Sequence, residues 1–325
     1  MQGKLLLLRY VSWLIHSEGV TTSDKVLLFF IKLYYIGLRI SPRLALGKKR
    51  RTRLSLKGQL GFLTVWYESY NFWKRVGKRK SPDLLKFKMP KYNLTFYCRN
   101  NKDELMIMTY HEHDILEHYF TPKEGDIFVD VGAHIGKYTI IASKRVGLNG
   151  KVIAIEADPG NFDLLNRNIQ LNNLSNVIAL NYAVYSKEEI IKLYLPSAGR
   201  GGGDESSSYT EYNTIMSDRA ARGDEKFVKV KANTLDYLLH SNMMKQEEVN
   251  WIKIDVEGAE YEVLKGAKDI ISKSKDITLL MEIHNLSVGN SLYKPICEYL
   301  SPYNFKIEFE KAYPGGERHV IARKY

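Results

Sequence analysis

Between residue 126 and the C-terminus, short apolar runs alternate with segments of helical period. Residues 127–131 are a β-branched run leading into Gly132 and Gly136, after which a helical pattern continues to about residue 145. Residues 151–155 predict a second strand. Residues 162–171 predict a helix, with Asp158 and Asn161 as candidate caps. Further strands are expected at 177–180, 251–254 and 277–283, and the runs at 305–309 and 320–322 can close the sheet. Strands separated by helices indicate βαβ units, so the fold class is α/β with a doubly wound, mainly parallel sheet.

The rhythm breaks once. Residues 187–240 form an insertion in which 190–195 and 227–231 read as a strand pair. Between them, 199–208 is rich in glycine and serine, as a flexible cover over an acceptor would be. Upstream, residues 94–97 predict a strand and 113–120 a short helix. Residues 1–58 read as helical, with Lys25, Lys32 and Arg39 spaced by seven along one side of an otherwise apolar surface. We therefore divide the chain into a basic helical extension, 1–91, and a catalytic domain, 92–325.

Charge supports that division. Residues 1–91 hold 20 Lys and Arg against 4 Asp and Glu, and the remaining residues hold 28 against 33, so the net +11 resides in the extension. A basic arm of this kind is either a solvated face or a contact for an anionic surface. Peripheral contact of 1–58 with the inner face of a membrane is one expectation. Nucleic acid is a poorer partner, because the aromatics at 66–73 precede the basic cluster instead of interleaving with it. Cys98 and Cys297 stand alone, which excludes a disulfide framework and a zinc cluster and fits a cytoplasmic setting. No apolar run reaches the roughly 20 residues of a spanning helix, and no signal-peptide pattern opens the chain.

Three motifs carry chemistry. The first is residues 129–136, VDVGAHIG, at a predicted strand-to-helix turn. Dinucleotide sites use Gly-x-Gly-x-x-Gly to seat a pyrophosphate on a helix N-terminus. Here only Gly132 and Gly136 are present, and Asp130 precedes them, which would repel a phosphate but suit a cationic ligand. The second is Glu156, followed by Ala157, at the end of the second strand and 24 residues beyond Gly132, where a carboxylate can accept ribose hydroxyls. The third is residues 251–260, WIKIDVEGAE, which bring Asp255 and Glu257 to the carboxyl end of the fourth strand. Glu282 and His284 end the fifth strand on the same rim. His284 or Asp255 could take a proton from a hydroxyl. No metal is expected, since Asp255 with His284 is an incomplete ligand set.

The chain resembles the FkbM family of methyltransferases in residues 128–139 (FVDVGAHIGKYT), 152–168, 176–186, 206–209 (SSSY), 230–238 and 252–264 (IKIDVEGAEYEVL). The resemblance implies a class I methyltransferase fold, with a seven-stranded sheet whose last strand is antiparallel, and O-methylation of a sugar, glycolipid or natural-product hydroxyl by S-adenosylmethionine. By position it implies that Asp130, Gly132, Ala133, His134 and Gly136 meet the methionine part of the cofactor. It also implies that Glu156 and Ala157 lie at the ribose, and Asn181 and Ala183 near the adenine, with Asp255 close by. Two rival readings are a nicotinamide-dependent oxidoreductase, which lacks its third glycine here, and a membrane-associated binding protein that keeps the fold without turnover.

Overall fold

The computed structural model describes residues 84–89, 92–99, 104, 107–108, 112–194, 227–287, 290–313 and 317–325. The expected basic helix within 1–58 and the glycine-serine segment 199–208 lie outside the described residues. Two compact units result, the first ending at Leu116 and the second running from Glu117 to Tyr325. In the first, β1 (Leu84–Met89) pairs antiparallel with β2 (Leu94–Arg99). Asn93, just before β2, has φ 51°, a left-handed conformation that asparagine tolerates. Alternate residues of β2, Leu94, Phe96 and Cys98, are buried.

A short helix, α1 (His113–His118), precedes the strand–helix alternation. The first strand of that alternation, β3 (Ile127–Val131), leads into α2 (Lys137–Val146). Next come β4 (Lys151–Ile155), α3 (Pro159–Leu171) and β5 (Val177–Leu180). Asp158 caps α3 by accepting a hydrogen bond from the Asn161 N–H at 2.7 Å. The chain then forms β6 (Ala183–Val184), β7 (Glu189–Tyr194), β8 (Phe227–Asn233) and α4 (Leu235–Ser241). It continues through β9 (Val249–Ile254), α5 (Glu260–Gly266), α6 (Lys268–Lys273) and β10 (Ile277–Ile283). After a small two-stranded pairing of β11 (Asn285–Ser287) with β12 (Asn290–Ser291), α7 (Tyr293–Leu300) leads into β13 (Lys306–Ala312) and β14 (Arg318–Lys324).

The main sheet has seven strands in the order β5-β4-β3-β9-β10-β14-β13. The first five run parallel, and β14 is antiparallel to β10. The order reverses direction between β3 and β9, so the C-terminal ends of β3, β4, β9 and β10 share one edge where ligands bind in such sheets. Helices cover the central strands, and all seven residues of β10 are buried, which accounts for its mostly apolar sequence, with Thr278 and Glu282 as the buried polar positions. The outer strands β13 and β14 extend beyond the runs at 305–309 and 320–322. Their polar positions, such as Lys306, Glu308 and Glu310, lie in the sheet while contributing no apolar signal. A separate sheet, β6-β8-β7, joins β6 to two strands of the insertion, β7 and β8, which form the expected strand pair and run antiparallel, with Ile190 opposite Lys231.

Candidate active site

The turn from β3 into α2 is held by three backbone conformations in the left-handed region, Gly132 at φ 76°, His134 at 51° and Gly136 at 98°. Both glycines answer to packing. A Cβ on Gly132 would lie 1.8 Å from the Asp255 carbonyl oxygen, and one on Gly136 would lie 2.7 Å from Leu165 Cδ1. The turn is also tied to the end of β4. The Gly132 and Ala133 N–H groups both donate to the Ile155 carbonyl at 3.0 Å, and the His134 N–H donates to Glu156 Oε2 at 2.8 Å. Three consecutive amides that a dinucleotide site would offer to a pyrophosphate are thus already engaged.

Asp130 is fully buried beneath this turn. Its Oδ2 accepts a hydrogen bond from Thr139 Oγ1 at 2.6 Å, and its carboxylate also accepts from the Thr139 backbone N–H in the first turn of α2. Its Oδ1 lies 3.6 Å from Lys253 Nζ. Burial pushes the Asp130 carboxyl above the usual carboxylate range, against the pull of Lys253 and the Thr139 bonds. Asp130 and Lys253 are register partners on adjacent parallel strands, which puts both side chains on one face. The Lys253 ammonium also donates to the Gly132 carbonyl at 3.2 Å and to Asp255 Oδ2 at 3.1 Å, and it stands 5.3 Å from the Tyr138 ring centre. One buried cation therefore links β3, the turn, α2 and the end of β9.

Glu156 directly follows β4 and is 7% exposed. Besides the His134 N–H, it accepts the Asp158 N–H at 2.9 Å. Burial pushes its carboxyl up to about 7, and these backbone bonds oppose the shift. Asn161 Nδ2 makes a longer approach to Oε1 at 3.5 Å, so of about four acceptor positions one stays open on Oε2, and a second hydroxyl donor would displace that long contact on Oε1. Asn181 donates to the Glu156 and Ala157 carbonyls at 2.8 and 3.1 Å, fixing the strand end beside them. Ala183 is buried in β6, paired with Ala232.

On the neighbouring rim, Asp255 and Glu257 follow β9, and His284 follows β10. His284 is 2% exposed and surrounded by carboxylates. Its Nδ1 lies 2.8 Å from Glu260 Oε1, and its Nε2 lies 3.3 Å from Glu257 Oε2 and 3.9 Å from Glu282 Oε1. Glu260 Oε1 also accepts the Gly258 N–H at 2.9 Å, so Nδ1 carries the proton in that contact. Burial pushes the imidazolium pKa down. Glu257, then Glu260 and Glu282, outweigh it and hold His284 well above its ordinary 6.5. Glu282 also approaches His319, Oε2 to Nε2, at 3.2 Å. Ligand atoms of Asp255, Glu257 and His284 lie within 4.8 Å of one another, so Glu257 supplies a third group beside the two-residue set read from the sequence.

The structure thus brings Gly132, Ala133, His134, Gly136, Glu156, Ala157 and Asn181 around the ends of β3 and β4, and Asp255 and His284 around the ends of β9 and β10. Asp130 sits behind the turn, with its side chain directed to Thr139 and Lys253. Lys253, Thr139 and Glu260 escaped assignment from the sequence. The signal for Lys253 was its place in the alternation of residues 251–254, where a lysine on a buried strand requires a partner. Glu156 past the end of β4 and Asp255 past the end of β9, beside a turn whose Gly132, Ala133 and His134 amides are engaged, suit a nucleoside that carries positive charge and vicinal hydroxyls.

Strand order 3-2-1-4-5-7-6 with an antiparallel seventh strand, counted over the seven strands of the main sheet, is that of the class I S-adenosylmethionine-dependent methyltransferases. Residues 130–307 match the methyltransferase FkbM domain model, more than half of the chain, and the protein belongs to that family. Among curated relatives, methyltransferase sdnD of Sordaria araneosa is 29% identical over 181 residues, covering 50% of this chain and 67% of the relative. The hexuronic acid methyltransferase AglP of Haloferax volcanii is 28% identical over 165 residues, covering 50% of this chain and 57% of the relative. Among solved structures, the methyltransferase FkbM of Methylobacillus flagellatus is 16% identical at a TM-score of 0.40. It covers 63% of this chain and 45% of its own. No described helix is long and apolar enough to cross a membrane.

Proposed function

We propose that the protein transfers a methyl group from S-adenosylmethionine to a hydroxyl oxygen of a sugar-bearing acceptor. The observation that carries the cofactor half is the engaged state of the turn: the Gly132, Ala133 and His134 amides are taken. The ligand is therefore held by acids and not by a phosphate cradle. Glu156 accepts the two ribose hydroxyls, the turn from Gly132 to Gly136 seats the methionine part, and Ala157, Asn181 and Ala183 border the base. Asp130 acts on that part through the turn it anchors and through Lys253. S-adenosylmethionine supplies a methyl group already activated by its sulfonium, so the protein's work is to hold the acceptor oxygen in line and receive its proton.

The hydroxyl assignment is supported by the rim. Asp255 and Glu257 offer proton-accepting carboxylates beside the sheet edge where the acceptor must lie, with His284 close to Glu257, and the same acids disfavour an anionic acceptor atom. The AglP relative is a methyltransferase of hexuronic acid, which supports a sugar as the acceptor class. The segment 199–208 is the candidate cover over the acceptor, and residues 1–58 are the candidate contact with an anionic membrane if that sugar is carried on a lipid.

Calorimetric titration of the 325-residue chain with S-adenosylhomocysteine, with NAD as control, tests the cofactor half. Micromolar binding that Glu156→Ala weakens at least tenfold, with NAD inert, supports it, since tenfold corresponds to about 1.4 kcal/mol. No binding of the adenosyl ligand defeats it. Release of S-adenosylhomocysteine in the presence of a panel of neutral and uronic glycosides then tests the acceptor half.

A further inference from the structure

The paired strands β7 and β8 have two unlike faces. Inward, Leu193, Val230 and Ala232 are buried, and Ala157, the residue after Glu156, packs with them. Outward, the register sets Ile190 opposite Lys231, Lys192 opposite Lys229, and Tyr194 opposite Phe227. Residues directly opposite in an antiparallel pair share a face, so these six make one outer surface. Its three lysines are exposed, Ile190 is 70% exposed and Phe227 42%. Among the described residues no carboxylate pairs with Lys192, Lys229 or Lys231. The acid within β7, Glu189, stands opposite Ala232 on the other face and pairs with Lys187 at 3.4 Å. Two lysines directly opposite each other cost a sheet stability, and an isoleucine in water adds nothing to a core. A partner that is both anionic and apolar accounts for the two features together.

We propose that this face docks on the surface of an anionic lipid bilayer, with the lysines among the headgroups and Ile190 and Phe227 directed to the acyl boundary. The docking goes beyond the methyltransferase reading and does not depend on it. Lysine stems lie along apolar groups while their ammonium ends stay at headgroup level, and anionic headgroups supply the charge that the opposed lysines lack. Exposed apolar side chains set beside basic ones are the composition of an interfacial element. A small soluble anion would engage the lysines and leave Ile190 in water. A nucleic acid would stack its bases on aromatic rings. Here Lys192 Nζ stands 4.6 Å over the Phe227 ring and Tyr194 meets that ring edge-on, so a base would first have to displace the lysine. The net charge of +11 favours approach to the same surface.

The test uses the 325-residue chain with Cys297→Ser, Cys98 being buried, and a polarity-sensitive fluorophore on Ile190→Cys. The control carries the probe on Leu148→Cys, 83% exposed in the turn between α2 and β4, away from the C-terminal ends of the strands. The probe reads this face locally, apart from any contact made by the basic residues 1–91. On phosphatidylcholine–phosphatidylglycerol vesicles, the Ile190 probe should shift to the blue and be quenched by spin-labelled lipid. Phosphatidylcholine alone should leave it unchanged, and about 1 M salt should reverse the shift. The Leu148 probe should not respond. Lys192→Glu, Lys229→Glu and Lys231→Glu together should abolish the Ile190 response, whereas arginine at the three positions should keep it. Like charges still oppose one another in the reversed variant, so its melting temperature should stay within about 3 °C of the parent. Protein bound to the anionic vesicles with the Ile190 probe unmoved, or moved no more than the Leu148 probe, overturns the proposal. So does the absence of vesicle binding. A response to heparin or single-stranded RNA as large as that to the vesicles also overturns it, since the partner would then be a soluble polyanion. Binding of S-adenosylhomocysteine is read separately, so failure here leaves the cofactor reading standing.

Discussion

A Cβ placed on Gly132 would lie 1.8 Å from the Asp255 carbonyl oxygen, so the turn between β3 and α2 and the end of β9 meet at backbone contact. Gly132 also has φ 76°, which adds strain for any side chain. Gly132→Ala should therefore destabilise the domain by about 3 kcal/mol or more, lowering its melting temperature by roughly 10 °C. Gly125, at φ 88° with nothing within 4 Å of where its Cβ would stand, provides the control. Gly125→Ala should cost only the conformational part, about 1 to 2 kcal/mol. Equal losses in the two variants would refute the contact.

Lys253 neutralises charge in the interior of the sheet. Removing it in Lys253→Met leaves Asp130 buried without its cation, and Asp255 loses a 3.1 Å partner. Denaturant unfolding should show a loss of about 3 to 5 kcal/mol. Adding Asp130→Asn should restore part of that loss, because the uncompensated charge is then gone. A double variant no more stable than Lys253→Met would show that the pair does not act as a unit.

The parts of this site visible in the sequence are those written as local pattern. The runs at 127–131, 151–155 and 277–283 became strands with those bounds, because buried parallel strands are apolar at most positions. Glu156 was legible as the first residue past a strand, and Gly132 and Gly136 as a strand-to-helix turn. The reason for Gly132 was not legible, since its neighbour is the backbone of Asp255, far along the chain on another strand. The partners of Lys253 were hidden for the same reason: register across β3 and β9 is a property of the assembled sheet. Glu260 reads locally as an acid in the first turn of a helix, and only the return of β10 brings His284 to it.

Glu156 gives two opposite pH slopes. Its native carboxyl is pushed up to about 7 from an ordinary 4.5, so the native state holds more protons than the unfolded state between those values. Its contribution to stability is fully present below about pH 4.5 and is lost as pH rises through 7, a change of about 3 kcal/mol. Binding runs the other way, because ribose hydroxyls need the ionised form as acceptor. Affinity for S-adenosylhomocysteine should fall as pH drops below 7. Glu156→Gln should flatten both dependences, seen by calorimetry and by unfolding at about pH 5 and 8. A slope that persists in the variant belongs to another group.

His284 carries the clearest linkage on the rim. Its native pKa lies well above the unfolded 6.5, with desolvation overcome by Glu257, Glu260 and Glu282. The native state thus retains a proton that the unfolded chain releases as pH rises past 6.5. The stabilisation this provides is complete below that pH and disappears as pH climbs through the native value. His284→Gln keeps a hydrogen-bonding side chain but removes the cation, leaving three carboxylates facing one another. Its destabilisation relative to wild type should be largest near about pH 6 and shrink toward about pH 10. Measurement is by denaturant midpoints across that range, at fixed ionic strength so that screening of outer charges does not vary. A destabilisation independent of pH would mean that the ring is held neutral, and that packing alone explains its burial.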